Sequence, residues 1–387
     1  MRFTLNKILL IVGLGLLALA SQPAFAQETA LDPASSVKID LPADSPLALV
    51  STSMGESRVN NRGGAMVLDL HMSLTLRNAG FHRVRGVVLL ITAQEFAPGG
   101  KGSVARPCID VPPAQEFTVP IDVRLVRPVQ QAGGPLVRVQ LDGVLFDDLS
   151  FFGPNRLNSQ RAMTFWETEA QRDRAYFKKV LQARGDKGLR DEMLLSMTRQ
   201  AERPQLDVAM SKAGRATGAP LPVGEHIAQF AFLKMPKAPV QPLEGFAEIS
   251  GNEARAPQIE VMNQSGRPVR YVEIGWLVKD KDGHEFLAGS VPGSTANLLL
   301  PAGRKSRLQP DTALKFSRTG KPVEIAAMTG FVSQVEFSDG KVWVPSREEL
   351  SSSPLLRVLT PSPEEQRLTD IYSKKGLAAL VAELARY

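Results

Sequence analysis

The sequence predicts a mainly β protein with added α structure: two antiparallel β-sandwiches joined by a helical, Pro-rich connector, with a C-terminal helix. Three observations carry that reading. Apolar and polar residues alternate over 68–77 and again over 117–125, the period of strands with one buried face. Loops rich in Gly and Pro, with no helical pattern between the strands, favour antiparallel pairing over β-α-β crossovers. The apolar period changes to three and four residues over 155–203 and again after Ser362.

Residues 1–26 read as a secretory signal. Arg2 and Lys7 precede an apolar run from Ile8 to Ala20, and Ala24-Phe25-Ala26 offers small residues for cleavage after Ala26. The run is too short for a membrane span. Gln27, rather than cysteine, follows the cleavage point, so no lipid anchor is expected. Cleavage would leave 361 of the 387 residues, enough for two domains. Residues 27–60, rich in Ala, Ser, Pro and Asp, read as an extended leader.

The first β domain is placed at 61–154. Leu68, Leu70, Met72, Leu74 and Leu76 share one face of a strand, and Asn78-Ala79-Gly80 turns the chain. Val87 to Ile91 is continuously apolar, as in a central strand, while Phe117 to Leu125 and Val137 to Leu141 alternate again. Residues 155–203 form the helical connector. There Thr164-Phe165-Trp166-Glu167 has capping-box form, Trp166, Ala170, Phe177 and Leu181 share a face, and Gly185 separates a second helix bearing Leu189, Met193 and Met197. Residues 204–242 carry Pro204, Pro220, Pro222, Pro236, Pro239 and Pro242 and read as a stiff linker holding one strand at His226–Leu233. The second β domain covers 243–350. The C-terminal helix, within 361–387, starts with Ser362 as cap, Pro363 in the first turn and Glu364-Glu365 at the positive dipole end, and Gly376 interrupts its apolar stripe.

The two β regions echo each other. Asn263-Gln264-Ser265-Gly266 matches the Asn78 turn, and Gly330-Phe331-Val332 matches Gly143-Val144-Leu145. Asn78 to Gly143 is 65 residues and Asn263 to Gly330 is 67. Duplication and convergent β patterning both explain such spacing. In its patterning the chain resembles exported bacterial proteins that carry tandem immunoglobulin-like β-sandwiches. That resemblance implies binding or scaffolding, with no ligand defined.

Composition narrows the chemistry. A hydrophobic fraction of 43% and a charged fraction of 22% describe a globular chain. The net charge of +6 is concentrated in the middle, where residues 155–215 hold 13 basic and 8 acidic groups. Arg172-Asp173-Arg174 and Lys178-Lys179 read as an exposed helix face with intrahelical pairs. Export argues against nucleic acid as a partner. Cys108, the single cysteine, excludes an intramolecular disulfide and reads as a small buried hydrophobe. His71, His82, His226 and His284 form no spaced ligand pair. Asp280-Lys281-Asp282-Gly283 lacks the distal acid of a calcium loop, Val291 standing in its place, and reads with Ser338-Asp339-Gly340-Lys341 as a hairpin turn. Gly99 to Ser103 lacks the Lys-Ser/Thr pair and following helix of a phosphate loop. The Ser-x-x-Lys matches at Ser35 and Ser338 lack their companion motif.

The expectation is a non-catalytic, periplasmic or secreted binding or assembly protein, soluble after cleavage, with no catalytic, cofactor or metal residues. Its partner would be an envelope protein or a cell-wall polymer. Phe151, Phe152, Trp276 and Trp343 are the candidate interaction residues, with an aromatic hinge against the helices as the plainer role of the phenylalanines. The alternatives are a carbohydrate- or peptidoglycan-binding module using an exposed Trp276 or Trp343, and an envelope hydrolase built from dispersed carboxylates. A solvent-facing tryptophan beside acids would favour the first alternative, and a cleft holding two carboxylates the second.

Overall fold

The computed structural model describes residues 29–30, 36–62, 64–96, 98–129, 134–203, 206–212, 225–292, 298–309, 311–353 and 355–387. The expected signal peptide, with Ala26, lies outside the described residues. Among the described residues, no helix is long and apolar enough to cross a membrane.

The chain is mainly β. In the N-terminal part, Ala65–Asn78 is the spine of one sheet and pairs antiparallel with Leu47–Ser53, Arg58–Arg62 and Glu116–Pro128. The opposing sheet runs Phe151–Phe152, Val137–Phe146, Val84–Thr92, Lys101–Arg106, and Val37–Asp40 joins Val137–Phe146 in parallel. Alternation along the spine sends Leu68, Leu70, Met72, Leu74 and Leu76 into one cluster with Val87, Leu89, Ile91 and Val139 of the opposing sheet. This is the core the alternating pattern predicts.

The C-terminal β part is arranged alike. Glu253–Asn263 is the spine, flanked by Val240–Ser250, Lys305–Leu308 and Ala313–Arg318. The opposing sheet is built on Val269–Asp280 and Ile325–Phe337, and Ala231–Phe232 joins the latter in parallel. Trp276 is fully buried in the shared cluster with Val261, Val278 and Phe316.

Two expected segments differ from their reading. The leader at 27–60 contains the strands Thr29–Ala30, Val37–Asp40, Leu47–Ser53 and Arg58–Arg62, all paired into the N-terminal sheets. The linker at 204–242 holds the strand expected at His226–Leu233, in two pieces, Glu225–Gln229 and Ala231–Phe232, but also Asp207–Ser211, and Val240–Ser250 begins within it. Most of these are short edge strands whose exposed side chains leave little alternation to read.

Among the described residues, the helices are α1 (Ser159–Glu202), α2 (Arg347–Ser351), α3 (Leu355–Val358) and α4 (Pro363–Ala385). Both long ones turn back at a glycine. Arg367 Nη1 lies 2.6 Å from Glu383 Oε1, although sixteen residues along a straight helix would span about 24 Å. Gly376 (φ 80°, ψ −179°) makes the reversal, and Gly185 (φ 63°, ψ −165°) does the same in α1. That conformation is essentially reserved for glycine. The four limbs pack around Phe177, Leu189, Met193, Leu368, Leu380 and Leu384.

The expected capping box does not open α1. The helix begins five residues earlier, where Asp142 of Val137–Phe146 accepts the amides of Arg156 (2.8 Å) and Leu157 (3.2 Å) and the hydroxyl of Ser159. Glu167 instead pairs with Arg174. The cap on α4 does form, with Ser362 Oγ accepting the Glu365 amide at 3.0 Å.

Candidate functional site

The helices face both β parts. Met163 and Trp166 of α1 pack with Val88, Leu145 and Phe151 of the N-terminal part. On the other side, the Arg161 guanidinium stacks over the Tyr271 ring at 3.9 Å, and α2 and α3 place Leu350, Leu355 and Val358 against Leu277 and Phe331. Charged side chains complete both junctions.

The intrahelical pairs expected of the Arg172-Asp173-Arg174 run form, Arg172 with Glu169 and Asp173 and Arg174 with Glu167, but Asp173 and Arg174 are buried rather than solvated, because Arg347 of α2 and Glu364 of α4 pack against them. Asp173, with no exposed side-chain surface, accepts Arg172 Nε at 2.8 Å and the Ser362 hydroxyl at 2.6 Å, with Arg347 Nη1 at 3.7 Å. Glu365 accepts both Arg347 terminal nitrogens at 2.8 and 3.1 Å, the Ser196 hydroxyl at 2.5 Å and Arg199 Nη2 at 3.2 Å. Burial opposes its charge, yet these bonds outweigh burial and hold its pKa down at about 2. A second chain of pairs runs from Glu167 through Arg174, Glu364, Arg367, Glu383 and Arg386 to Asp110. Asp110 in turn holds Arg83 and Arg85, both at 2.7 Å. The Tyr387 ring lies beneath Arg85 (4.8 Å) and Arg174 (4.2 Å).

Between the helices and the C-terminal β part is a cavity of about 330 Å³. Phe165, Trp166, Phe331, Leu350 and Leu359 supply apolar wall, and Glu169, Arg172, Arg199, Arg347 and Glu365 supply charge. Among the described residues, Glu169 makes one ion pair, at 3.5 Å to Arg172. Burial pushes its pKa up to about 7, against the pull of Arg172 and with the help of Asp173, Glu273 and Glu365. Glu169 is the residue the sequence reading missed. Its own helix supplies Arg172 and Asp173, but Glu273 and Glu365 arrive from segments about 100 to 200 residues away, so the pattern of the helix alone does not mark it.

No protein-family model matches the chain, and no curated protein matches it. Among solved structures 57 chains match. One is a β-glucosidase from Kluyveromyces marxianus, 8% identical, with a TM-score of 0.15 over 68% of this chain and 45% of that one. A likeness that loose supports neither a fold nor an activity. The chain spans less than half of that enzyme's length.

The expected interaction residues sit inside the structure or partly so. Trp276 is fully buried, its ring 4.5 Å from that of Phe230, so it cannot serve as an exposed platform. Trp343 is half-buried against the same core. Phe151 packs beside Met163, and Phe152 packs on the N-terminal core. Among the described residues the exposed large aromatics are instead Phe81, 96% accessible, and Phe96, 98% accessible. They occupy the loops at opposite ends of Val84–Thr92.

Two turns bring a histidine beside aspartates: His82 with Asp147 and Asp148, and His284 with Asp280 and Asp282. Hydrogen bonds within each turn account for the arrangement. Asp148 accepts the Ser150 amide and hydroxyl, and Asp280 accepts the Asp282 and His284 amides. Cys108 is buried, and burial pushes its thiol well above the ordinary range, where it is inert.

Proposed function

We propose that this is a non-catalytic exported binding or assembly protein of the bacterial envelope. In this reading two immunoglobulin-like modules, related by duplication, are held in a fixed relation by the helices between and after them. The observation that carries it is the use of the charged residues. Asp173, Glu364 and Glu365 are buried and matched to arginines that link the helices or anchor them to segments beside the β parts, leaving them unsuited to acid–base work.

Duplication is supported by a matched pair of buried asparagines. Asn78 Nδ2 donates to His82 O and Val111 O, each at 2.9 Å, while its Oδ1 accepts the Gly80 amide. Asn263 Nδ2 donates to Arg267 O at 2.8 Å and Leu300 O at 3.0 Å, and its Oδ1 accepts the Ser265 amide. Isolated bridges follow at Val84–Val111 and Val269–Leu300. A register shift between Leu49 and Ser51 in one part has a counterpart between Pro242 and Glu244 in the other, where a second shift lies between Phe246 and Glu248. Convergence on a β-sandwich requires none of these coincidences.

The buried Trp276 counts against the sugar-platform alternative. Phe81 and Phe96 are the best-exposed anchors for a protein partner. A photo-crosslinking residue placed at Phe81 or Phe96 in the native envelope should give one stoichiometric protein adduct. Absence of any adduct, with retention of the protein on purified cell-wall polymer, would overturn the reading.

A further inference from the structure

We propose that the cavity between the helices and the C-terminal β part binds a small monocarboxylate with an apolar tail, its carboxylate held by the open edge of the Arg347 guanidinium. The cavity volume, about 330 Å³, lies at the lower end of the range of ligand sites, roughly 300 to 1,000 Å³. Its wall offers Phe165, Trp166, Phe331, Leu350 and Leu359 to an apolar tail.

Charge decides the ligand class. Three arginines, Arg172, Arg199 and Arg347, line the cavity against two carboxylates, Glu169 and Glu365. Arg172 is matched by Asp173, which accepts its Nε at 2.8 Å and its Nη2 at 3.0 Å, and Glu192 is matched by Arg184 at 3.1 Å. Arg347 and Arg199 both donate to Glu365, so two guanidinium groups rest on one carboxylate. Glu169 does not restore the balance, because burial, with Asp173, Glu273 and Glu365, keeps its proton on up to about pH 7. A bound monoanion supplies the absent negative charge, whereas an ammonium would add to the surplus and an alcohol would leave it uncompensated.

The geometry of Arg347 places that anion. The side chain is 3% exposed, and its terminal nitrogens donate to Glu365 at 2.8 and 3.1 Å. Asp173 lies on the Nη1 side, at 3.7 Å. The opposite edge, Nε with Nη2, is left: the buried Nε has no hydrogen-bond partner among the described residues. A buried N–H without an acceptor is costly, and a carboxylate fits such an edge through two parallel bonds.

The pH dependence follows from the groups facing Glu169: Arg172 and Asp173 on its own helix, Arg199 on the returning limb, Arg347 on α2, Glu365 on α4 and Glu273 on the strand. Protonated, Glu169 offers the ligand a hydroxyl; ionised, it repels a second carboxylate. Carboxylate affinity therefore falls as pH rises through about 7. This site does not depend on whether the β parts bind a protein partner.

The experiment measures binding of hexanoate, 1-hexanol and hexylamine to the chain beginning at Gln27, by calorimetry and by tryptophan fluorescence, Trp166 standing in the cavity wall. At pH 6 hexanoate should bind at least about ten-fold more tightly than the other two. Its affinity should fall about ten-fold between pH 6 and pH 8 as Glu169 ionises, while that of hexanol stays constant. Glu169→Gln should keep the affinity seen at pH 6 and remove the pH dependence. Arg347→Lys keeps the charge but loses the Nε edge, and should weaken hexanoate by about ten-fold while leaving hexanol unchanged. Equal or tighter binding of hexanol or hexylamine, no hexanoate binding at millimolar concentration, or a pH-independent hexanoate affinity in the unaltered protein would overturn the proposal. So would a folded Arg347→Lys protein with undiminished hexanoate affinity; if that variant does not fold, Glu169→Gln decides.

Discussion

Taking the Glu365 carboxylate out of water raises the cost of its charge, and the groups of Arg347, Arg199 and Ser196 more than offset it. Because its folded pKa lies near 2 and its ordinary value near 4.5, the unfolded chain takes up this proton first as pH falls. The stability Glu365 contributes is therefore complete above about pH 4.5 and drains away toward pH 2. Glu169 works the other way. Its raised pKa means that folding loses free energy as pH climbs from about 4.5 through 7. Glu365→Gln leaves Arg347 and Arg199 facing a neutral amide in a buried setting, and should cost about 3–5 kcal/mol near neutral pH. Denaturant titrations at pH 7 and pH 3 check this: the deficit should be present at pH 7 and smaller at pH 3. An equal deficit at both values would mean that the carboxylate charge is not the source.

At the scale of elements, the glycine breaks in α1 and α4 were legible before any coordinates, because Gly185 and Gly376 interrupt otherwise continuous apolar stripes. What the sequence concealed was that each break reverses the chain. A three-to-four period is the same for a straight helix and a folded-back pair, and it takes the contact of Arg367 with Glu383 to distinguish them. An added Cβ would meet nothing within 4 Å at either glycine, so the penalty for alanine is one of backbone conformation alone. Gly376→Ala and Gly185→Ala should each destabilise by about 1–3 kcal/mol, read from the thermal midpoint. A midpoint unchanged within error would show that the reversals are not required.

Strands with one buried face were equally legible: the alternation from Leu68 to Leu76 maps directly onto the N-terminal core. Strands at 27–60 were not, and within 204–242 only the one at His226–Leu233 was, since an edge strand with exposed side chains shows no period. Nor was the burial of Asp173 and Arg174. A run of charges reads as solvated until counter-charges such as Arg347 and Glu364 arrive from the far end of the chain. The candidate site was hidden for the same reason, with Glu169 on α1 and its neighbours spread over the C-terminal half.

For the whole molecule, the account rests on the helices acting as a brace. The pairs ending at Asp110 tie them to the N-terminal β part, and the Arg161–Tyr271 stack with the Leu350, Leu355 and Val358 cluster ties them to the C-terminal one. Interfaces within one chain are by default mobile unless they are large and well packed. The proposed scaffold therefore makes a definite demand on the relation between the two β parts. Thr118 and Arg307 are exposed positions on the two, and Cys108 is buried, so paired cysteine substitutions at 118 and 307 accept spin labels cleanly. A single narrow distance distribution by electron-spin resonance is expected, broadened when Asp173→Asn weakens the brace. A broad distribution in the otherwise unaltered protein would contradict it.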